Sequence, residues 1–348
     1  MIGGWNDQLN IASKISWKRL WNASQIYSSY HLSRLKGKPS VAGLPITVSI
    51  EPTTSCNLRC PECPSGLRSF TRPTGMLQQP LFQQAIDQLA GTLSFLTFYF
   101  QGEPYLHPDF LNMVEYASGK GIYTSTSTNA HYLNDERARH TVESGLDRLI
   151  ISIDGTTQET YQSYRVGGSL DKVMEGARNV IARKKKLRSR TPHVAFQFLV
   201  VKPNEHQIDE VYKLADDIGV DQVVLKTAQI YDYENGSDLI PSLEQYSRYR
   251  KTDSGKYAIK NTLDNRCWKM WHSCVITWDG KVVPCCFDKD ASHVLGDLTR
   301  QSFEEIWNGE KYNQFRASLM RSRSEIDICK NCSEGLDDSI FQIHDSRL

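Results

Sequence analysis

The sequence predicts an α/β protein: an incomplete parallel barrel of six β/α units, followed by a small cysteine-rich domain made of a β-hairpin and short helices. Three observations predict this architecture. From residue 46 onward, short apolar runs alternate with amphipathic helical patterns, which is typical of parallel βα units. Polar side chains follow the ends of these runs. The cysteines fall into two groups, one directly after the first run and one near the end of the chain.

Length and composition leave room for one large and one smaller domain in this chain of 348 residues. The chain has 41 basic and 40 acidic residues, so its overall charge gives no reason to expect a nucleic-acid partner. The N-terminal segment lacks the apolar stretch of a signal peptide, and no run is long enough to form a transmembrane segment. We therefore expect a cytoplasmic protein, whose nine cysteines indicate metal or redox chemistry rather than disulfides.

A basic, tryptophan-containing pattern predicts an N-terminal helical extension over residues 1–44. Its apolar residues are Ile15, Trp17, Leu20, Trp21 and Ile26, and they alternate with Lys14, Lys18 and Arg19. This pattern favours an amphipathic helix that packs on the main domain over a helix that lies on a membrane surface. The other predicted units are a barrel over 45–228, a linker or lid over 229–262, the cysteine-rich domain over 263–335 and a C-terminal tail over 336–348.

Six apolar runs are the predicted barrel strands. They cover residues 46–51, 95–100, 122–127, 147–153, 194–201 and 221–226. Helical patterns with clear start and stop signals separate them, such as the helix that Pro80 opens and Gly91 closes. In parallel barrels, functional side chains gather where the strands end. Polar residues at those positions are therefore candidates for a binding site.

The first cysteine group directly follows the first predicted strand. Residues 51–64 read EPTTSCNLRCPECP, which places Cys56, Cys60 and Cys63 at the spacing CxxxCxxC on one loop. Three thiolates can hold three irons of a cubane cluster and leave the fourth iron open for a ligand. A closed zinc site needs four ligands, and this loop has neither a fourth Cys nor an adjacent His. The spacing therefore favours an iron–sulfur cluster over zinc.

This cysteine spacing resembles the signature of the radical S-adenosylmethionine (SAM) superfamily. The resemblance implies a TIM-like (β/α)6 partial barrel, a 4Fe–4S cluster on Cys56, Cys60 and Cys63, and SAM bound at the open iron. It also implies that a flavodoxin or ferredoxin reduces the cluster. SAM is then cleaved to a 5'-deoxyadenosyl radical, which abstracts a hydrogen atom from a substrate.

The residues after the second strand resemble the GGEP motif of that family, which contacts the SAM amino group. They are Gln101, Gly102, Glu103 and Pro104, with glutamine in place of the usual first glycine. A carboxylate at a strand end can accept hydrogen bonds from an ammonium group, and a glycine lets the backbone approach closely. We therefore expect this turn to contact SAM.

The ends of the third and fourth strands supply five further candidates for SAM contact. Ser127 and Asn129 resemble the strand that contacts the ribose in the family. Ser152 and Asp154 end the fourth strand, and Arg165 follows it in a helical segment. An arginine there can bind the SAM carboxylate through two parallel hydrogen bonds.

The second cysteine group predicts a closed site of four thiolates. Cys267 and Cys285 lie at the two ends of a predicted hairpin around Asp279 and Gly280. Two short helical patterns then return the chain to a CxxC pair, Cys329 and Cys332. On the residues alone, four-Cys zinc and a fully ligated iron–sulfur cluster are both open.

The second group resembles the SPASM motif of radical SAM enzymes in its shorter, twitch form. The resemblance implies an auxiliary 4Fe–4S cluster on Cys267, Cys285, Cys329 and Cys332, with the hairpin folded back over the barrel mouth. Of the two spare cysteines, Cys274 is expected in the core of the hairpin. Cys286 is expected near the barrel mouth, as an alternate ligand or a proton or hydrogen-atom donor. The catalytic candidates are Cys286, Asp288 and Lys226.

The functional hypothesis is a two-electron oxidation of a small polar metabolite, such as a sugar or cyclitol. A cluster with four protein ligands has no open iron for substrate and suits electron acceptance. The alternative is a maturase that modifies a peptide, although the extension before the barrel is too short for the leader-binding domain common in such enzymes. A non-catalytic iron–sulfur or zinc scaffold is a third possibility. The SAM-contact candidates argue against it, because a scaffold needs none.

Overall fold

The computed structural model of this chain describes residues 2–336, so most of the predicted C-terminal tail lies outside the described residues. The helices are α1 (Ile2–Ser13), α2 (Trp17–Lys36), α3 (Pro64–Leu67), α4 (Gln79–Leu89), α5 (Phe110–Gly119), α6 (Asp135–Glu143), α7 (Gln158–Tyr164), α8 (Leu170–Leu187), α9 (Ile208–Ile218), α10 (Lys269–His272), α11 (Phe303–Trp307) and α12 (Glu310–Arg321). The strands are β1 (Thr47–Ile50), β2 (Phe95–Thr97), β3 (Tyr123–Thr128), β4 (Arg148–Ser152), β5 (His193–Val200), β6 (Gln222–Thr227), β7 (Tyr249–Lys251), β8 (Tyr257–Ile259), β9 (Ser273–Ile276), β10 (Lys281–Val283) and β11 (Gly296–Asp297).

The strands β1 to β6 form the predicted parallel barrel sheet. They pair in chain order, and each pair is parallel. All six predicted strands are confirmed, with ends that differ by a few residues. The apolar runs place side chains of these strands in the hydrophobic core, where Val48, Leu96 and Phe196 are completely buried. Strands β7 and β8 form a separate antiparallel pair inside the segment predicted as a linker or lid.

The strands of the C-terminal hairpin extend the barrel sheet. Strand β9 pairs in parallel with β1, with Ile50 opposite Ile276, and β10 and β11 follow in antiparallel order. The turn at residues 277–280 therefore lies beside the C-terminal end of β1. The opposite end of the hairpin, which carries Cys267 and Cys285, lies towards the N-terminal end of β1, where Ile46 donates to the carbonyl of His272 at 2.8 Å. The loop after Cys285 nevertheless reaches the C-terminal strand ends, where Asp290 accepts from the Thr71 amide at 2.9 Å and the Lys289 carbonyl accepts from Arg72 at 3.3 Å.

The N-terminal helix α2 is oriented opposite to the sequence-based expectation. Its buried residues are Arg19, Asn22, Ile26, Ser29, Tyr30 and Ser33, most of them polar. Trp17, Leu20 and Trp21, which the pattern predicted to pack inward, are exposed. The orientation is determined by hydrogen bonds rather than by apolar burial.

Arg19 is the main anchor of α2. Its guanidinium donates to the carbonyls of Lys14 at 2.6 Å, Ala90 at 3.1 Å and Lys120 at 3.1 Å, and also to the carbonyl of Gly121. Ala90 and Lys120 are the C-terminal caps of α4 and α5. A cation is favourable at helix C-termini, where carbonyls lack partners within the helix. Arg19 thus joins α2 to two helices of the barrel.

No helix among residues 2–336 is both long enough and apolar enough to cross a membrane.

Arg19→Ala should destabilise the protein by about 2 to 4 kcal/mol, because it leaves several buried carbonyls without donors. Lys18→Ala, at the exposed neighbouring position, should change stability by less than about 0.5 kcal/mol. Denaturant midpoints of the reconstituted proteins measure both changes. Equal midpoints for the two variants would show that α2 is not held by Arg19.

Candidate functional site

An open cavity of about 760 Å³ lies at the C-terminal ends of the barrel strands. It brings together nine of the residues predicted from the sequence: Cys56, Cys60, Cys63, Gly102, Glu103, Ser127, Asn129, Ser152 and Arg165. Parallel strands β1 to β5 end at the same edge, which explains why side chains more than 100 residues apart meet here. The cavity is the candidate SAM site.

The three thiols of the first group face this cavity from the loop after β1. Asn129 Nδ2 lies 4.0 Å from Cys56 Sγ, and Arg165 Nη1 lies 3.9 Å from Cys60 Sγ. Burial raises the pKa of Cys56 to about 12, and burial also raises the pKa of Cys60. Without metal these two thiols therefore hold their protons, and metal binding must release them. Donors near the sulfurs of Cys56 and Cys60 fit an anionic thiolate cluster.

Gly102 lets the turn after β2 pass under the cysteine loop. Its φ is +78°, and a Cβ there would meet the Thr53 carbonyl oxygen at 2.1 Å and the Ser55 carbonyl oxygen at 2.9 Å. Its amide donates to Ser65 Oγ at 2.9 Å, and the next amide, of Glu103, donates to Ser55 at 2.7 Å. The predicted close approach of the backbone is therefore present, and it supports the cysteine loop.

Glu103 is almost fully buried, and its carboxylate is largely used within the protein. It accepts hydrogen bonds from Thr128 Oγ1 at 2.7 Å and from the amides of Asn129 at 2.8 Å and Tyr105 at 3.2 Å. Burial raises the pKa of Glu103, and the bonds from Asn129 and Thr128 oppose that rise. Its carboxylate joins the ends of β2 and β3, a role that the motif alone did not reveal.

Asp154 and Arg165 form an ion pair at the end of β4. Asp154 is fully buried and also accepts from the amide of Leu199 at 2.7 Å, so it supports Arg165 from behind and does not line the cavity. Burial lowers the pKa of Arg165, but the adjacent Asp154 carboxylate outweighs this and raises it. The pair uses Nε of Arg165, which leaves its terminal nitrogens on the cavity side.

Two other predicted SAM contacts lie beside the cavity and not in its lining. Pro104 is buried at the start of a short 3-10 helix, and the Gln101 side chain reaches Cys63 Sγ at 3.9 Å. The structure adds lining residues that the sequence analysis missed, among them Tyr99 and Gln197. Gln197 is the one polar side chain within the apolar part of β5, and that interruption was a usable signal.

The second cysteine group also converges. Cys267, Cys329 and Cys332 are buried, and Cys285 is half-buried. Burial raises the pKa of Cys285 well above its usual range, and the neighbouring thiolates of Cys286, Cys332 and Cys267 raise it further. Burial likewise raises the pKa of Cys329 to about 12, and the neighbouring thiolates of Cys267 and Cys332 also raise it. The four thiols therefore share one site.

A buried arginine accompanies these four thiols. Arg323 is fully buried and donates to Cys332 Sγ at 3.3 Å, to the Arg266 carbonyl at 3.0 Å and to the Glu334 carbonyl at 2.6 Å. A buried guanidinium is costly beside neutral thiols and favourable beside an anionic cluster. Its presence fits a site with negative charge.

The described residues do not converge around a single ion. Within residues 2–336, no three Cys, His, Asp or Glu side chains meet closely enough to hold one metal ion. In a cubane each thiolate binds a separate iron, so the ligand sulfurs lie further apart than around zinc.

The remaining candidates have different surroundings. Cys274 is buried in β9, as expected, whereas Cys286 is exposed to solvent. Asp288 accepts from the amides of Ser292 at 2.7 Å and His293 at 2.9 Å, so its carboxylate stabilises its own loop.

A second cavity, of about 740 Å³, occupies the inside of the barrel. Lys226 lines it, and so do Tyr99 and Gln197, which also line the candidate SAM cavity. Helix α1 forms its floor: Asp7 accepts from Tyr123 Oη at 2.5 Å and from Arg148 Nη1 at 2.7 Å. Of the three catalytic candidates, Lys226 is thus the one whose side chain faces this interior space.

Glu51 connects the two cysteine sites. Its fully buried carboxylate accepts two hydrogen bonds from Arg72, at 2.8 and 2.6 Å, and one from the Trp278 amide at 3.3 Å. Arg72 Nε donates to the Lys289 carbonyl at 3.3 Å. One ion pair therefore joins the end of β1, the segment after the first cysteines and the loop after Cys285.

Comparison with known proteins agrees with this geometry. Residues 50–220 match the family model of the radical SAM superfamily, and residues 267–333 match the SPASM model, an iron–sulfur cluster-binding domain. The cofactor-modifying protein of the tungsten-containing aldehyde ferredoxin oxidoreductase of Pyrococcus furiosus is 25% identical, over 82% of this chain and 86% of its own length. The PqqA peptide cyclase of Bradyrhizobium diazoefficiens is 24% identical, over 86% of this chain and 82% of its own.

Solved structures show the same fold. The crystal structure of BtrN in complex with AdoMet and 2-DOIA aligns with a TM-score of 0.53 at 18% identity, and covers 87% of this chain and 98% of that chain. At this identity the likeness concerns the fold alone.

Gly102→Ala should disturb the first cysteine site, since the new Cβ would overlap the Thr53 carbonyl and φ would stay in the left-handed region. We expect a clear loss of iron at the first site and a melting temperature lowered by several degrees, as for a cost of about 2 kcal/mol. Gly119→Ala is the matched control, because a Cβ at this helical glycine would meet nothing within 4 Å. Full iron content in Gly102→Ala would contradict the close-approach argument.

Proposed function

This chain belongs to the radical SAM superfamily and carries a SPASM iron–sulfur domain, and from that premise we propose that it oxidises a compact polar substrate by two electrons. Its cofactors are SAM and 4Fe–4S clusters. The observation that carries the proposal is the interior cavity, which shares the lining residues Tyr99 and Gln197 with the candidate SAM cavity. A substrate in that space lies between the two cysteine sites.

We assign the two cysteine groups to two clusters. Cys56, Cys60 and Cys63 hold the SAM-binding cluster, and Cys267, Cys285, Cys329 and Cys332 hold the auxiliary cluster. Bound at these residues, SAM and the clusters supply a radical that removes a hydrogen atom and an acceptor for one further electron. With one proton released, the substrate loses two protons and two electrons in total, which is the equivalent of two hydrogen atoms.

The residues around the first site position SAM. Arg165, held by Asp154, directs its terminal nitrogens into the cavity and suits the SAM carboxylate. Ser127 and Ser152, whose hydroxyl oxygens lie 3.5 Å apart, suit the ribose hydroxyls. Glu103 acts mainly by holding the amide of Asn129, and its backbone lies close to the cysteine loop.

The interior cavity favours a small molecule as substrate. The figure of about 740 Å³ includes open solvent, and the space within the cavity itself is about 210 Å³, which suits a compact ligand rather than a drug-sized one of about 300 to 1,000 Å³. Its lining mixes aromatic and charged groups. Lys226 has no hydrogen bond or ion pair within residues 2–336 and is available for a polar group of the substrate.

A peptide-modifying function is the second candidate. It is favoured by the 24% identity to a PqqA peptide cyclase over most of both chains. The Pyrococcus relative, named for modifying the cofactor of another protein, does not share that substrate class. The compact interior cavity supports the small molecule, with a peptide as the alternative.

The cluster assignment predicts about eight irons per chain after anaerobic reconstitution. Replacing Cys56, Cys60 and Cys63 together by Ala should remove about four irons and abolish reductive cleavage of SAM to 5'-deoxyadenosine. Cys332→Ala should lose the auxiliary cluster, and Cys274→Ala serves as the control with full iron. Iron and zinc analysis, with chromatography of the nucleoside product, measures these outcomes. Stoichiometric zinc with about four irons would refute the auxiliary cluster.

The proposed oxidation is tested with candidate substrates that carry deuterium at the reacting carbon. One deuterium should appear in 5'-deoxyadenosine for each oxidised product, with SAM consumed one for one. Lys226→Met should lower product formation by at least about 100-fold, while Lys202→Met, at an exposed position, should not. Return of the label to the product, or regeneration of SAM, would indicate a redox-neutral reaction and defeat the proposal.

A further inference from the structure

The solvent-facing side of α2 is an apolar stripe. Trp17 is 78% exposed and Leu35 is 86% exposed, although both are large apolar side chains. The other exposed members on this helix are Leu20, Trp21, Tyr27 and Leu32. At about 100° per residue, all of them fall on the side opposite the buried face with Arg19 and Ile26. The helix is therefore polar towards the protein and apolar towards solvent, the reverse of an ordinary surface helix.

Helix α1 extends this surface. Trp5, at 70% exposure, and Leu9 lie one turn apart on its outer side. Asp7 and Ile11, on its inner side, are buried and form the floor of the interior cavity. Exposed apolar side chains scattered singly are normal, but a cluster of this size marks an interaction site.

The charges around this surface have one sign. The first 50 residues contain one acidic residue, Asp7, which is buried, and six basic residues: Lys14, Lys18, Arg19, Arg34, Lys36 and Lys38. Arg19 is buried and Lys14 pairs with Asp147 at 3.2 Å, so the basic side chains at the outer surface are Lys18, Arg34, Lys36 and Lys38. On the helical projection of α2, Lys18 and Lys36 border the apolar stripe on one side and Arg34 borders it on the other.

We propose that the outer surface of α1 and α2 binds the surface of an anionic lipid membrane. Tryptophan and leucine flanked by lysine and arginine are the composition of helices that lie in the lipid interface. The apolar stripe would enter the boundary between headgroups and acyl chains, and the bordering cations would meet lipid phosphates. Neither helix spans the bilayer, in agreement with the absence of a spanning helix among residues 2–336.

The charge pattern favours lipid over a second copy of the chain. An identical surface would bring two sets of cations together, and no carboxylate on the exposed part of residues 4–50 is available to pair with them. Like charges placed together across an interface oppose association. An anionic membrane has the complementary charge and tolerates an irregular apolar outline.

The proposal is tested by flotation of the reconstituted full chain with vesicles of phosphatidylcholine alone and vesicles with about one third phosphatidylglycerol. We expect binding to the anionic vesicles, little binding to the neutral ones, and weaker binding as salt is raised. Trp17→Ser with Trp21→Ser, and separately Lys36→Gln with Lys38→Gln, should each weaken binding by about tenfold or more. Melting temperatures confirm that these exposed substitutions leave the fold intact.

The matched control is Leu187→Ser with Leu243→Ser, two exposed leucines outside the N-terminal helices, each 42% exposed. This control should bind anionic vesicles as the unchanged protein does. The proposal is overturned by a folded protein that floats with neither vesicle or equally with both, or by binding that survives loss of both tryptophans. A dimer in sedimentation equilibrium that the tryptophan substitutions dissociate would also overturn it, because a second copy would then cover the surface.

Discussion

Strand β1 is the element on which both cysteine sites depend. It pairs with β2 along one edge and with β9 along the other, so it joins the barrel and the C-terminal hairpin into one sheet. The loop with Cys56, Cys60 and Cys63 follows its C-terminal end, and Cys267 lies beyond its N-terminal end. The buried pair of Glu51 and Arg72 holds these parts together, and breaking a buried pair by removing one partner is strongly destabilising. The separation of the two sites is thus set by the length of one strand.

This arrangement gives the barrel interior its chemical role. The candidate SAM cavity opens at the strand ends, and it shares Tyr99 and Gln197 with the interior cavity, which Lys226 lines. Burial lowers the pKa of Lys226, while the nearby Glu334 opposes that change. Because Glu334 is paired with Lys269, Lys226 remains available to a ligand.

The barrel and the cysteine sites could be predicted because they depend on local patterns. Alternating apolar runs located all six strands, and cysteine spacing identified both groups. The position of the auxiliary site could not be predicted, because β9 pairs with β1 across more than 200 positions of sequence. Neither segment has a sequence pattern that identifies the other as its partner. The role of Glu103 was missed for a similar reason, since its partners Thr128 and Asn129 become neighbours only in the folded sheet.

The orientation of α2 shows where hydrophobic periodicity misleads. Trp17, Leu20 and Trp21 form a regular apolar face, and that regularity predicted burial. The helix instead turns this face outward because Arg19 donates to the carbonyls of Ala90 and Lys120 on the barrel, and Asn22 donates to the carbonyl of Leu44 in the segment that leads to β1. Periodicity identifies the apolar face of a helix. Specific hydrogen bonds from the polar face can nevertheless make that face the one that packs against the protein. Similarly, the antiparallel pair β7 and β8 in the predicted linker lacks the apolar alternation that would have revealed it.

The central claim is that two clusters lie at opposite ends of β1 with the substrate space between them. Pulsed dipolar EPR on the reconstituted protein with both clusters reduced measures their separation directly. We expect a separation of roughly 15 to 20 Å, because the four residues of β1 span about 13 Å at about 3.3 Å each and both cysteine groups lie beyond its ends. A signal from a single cluster, or two clusters within roughly 10 Å of each other, would contradict this arrangement.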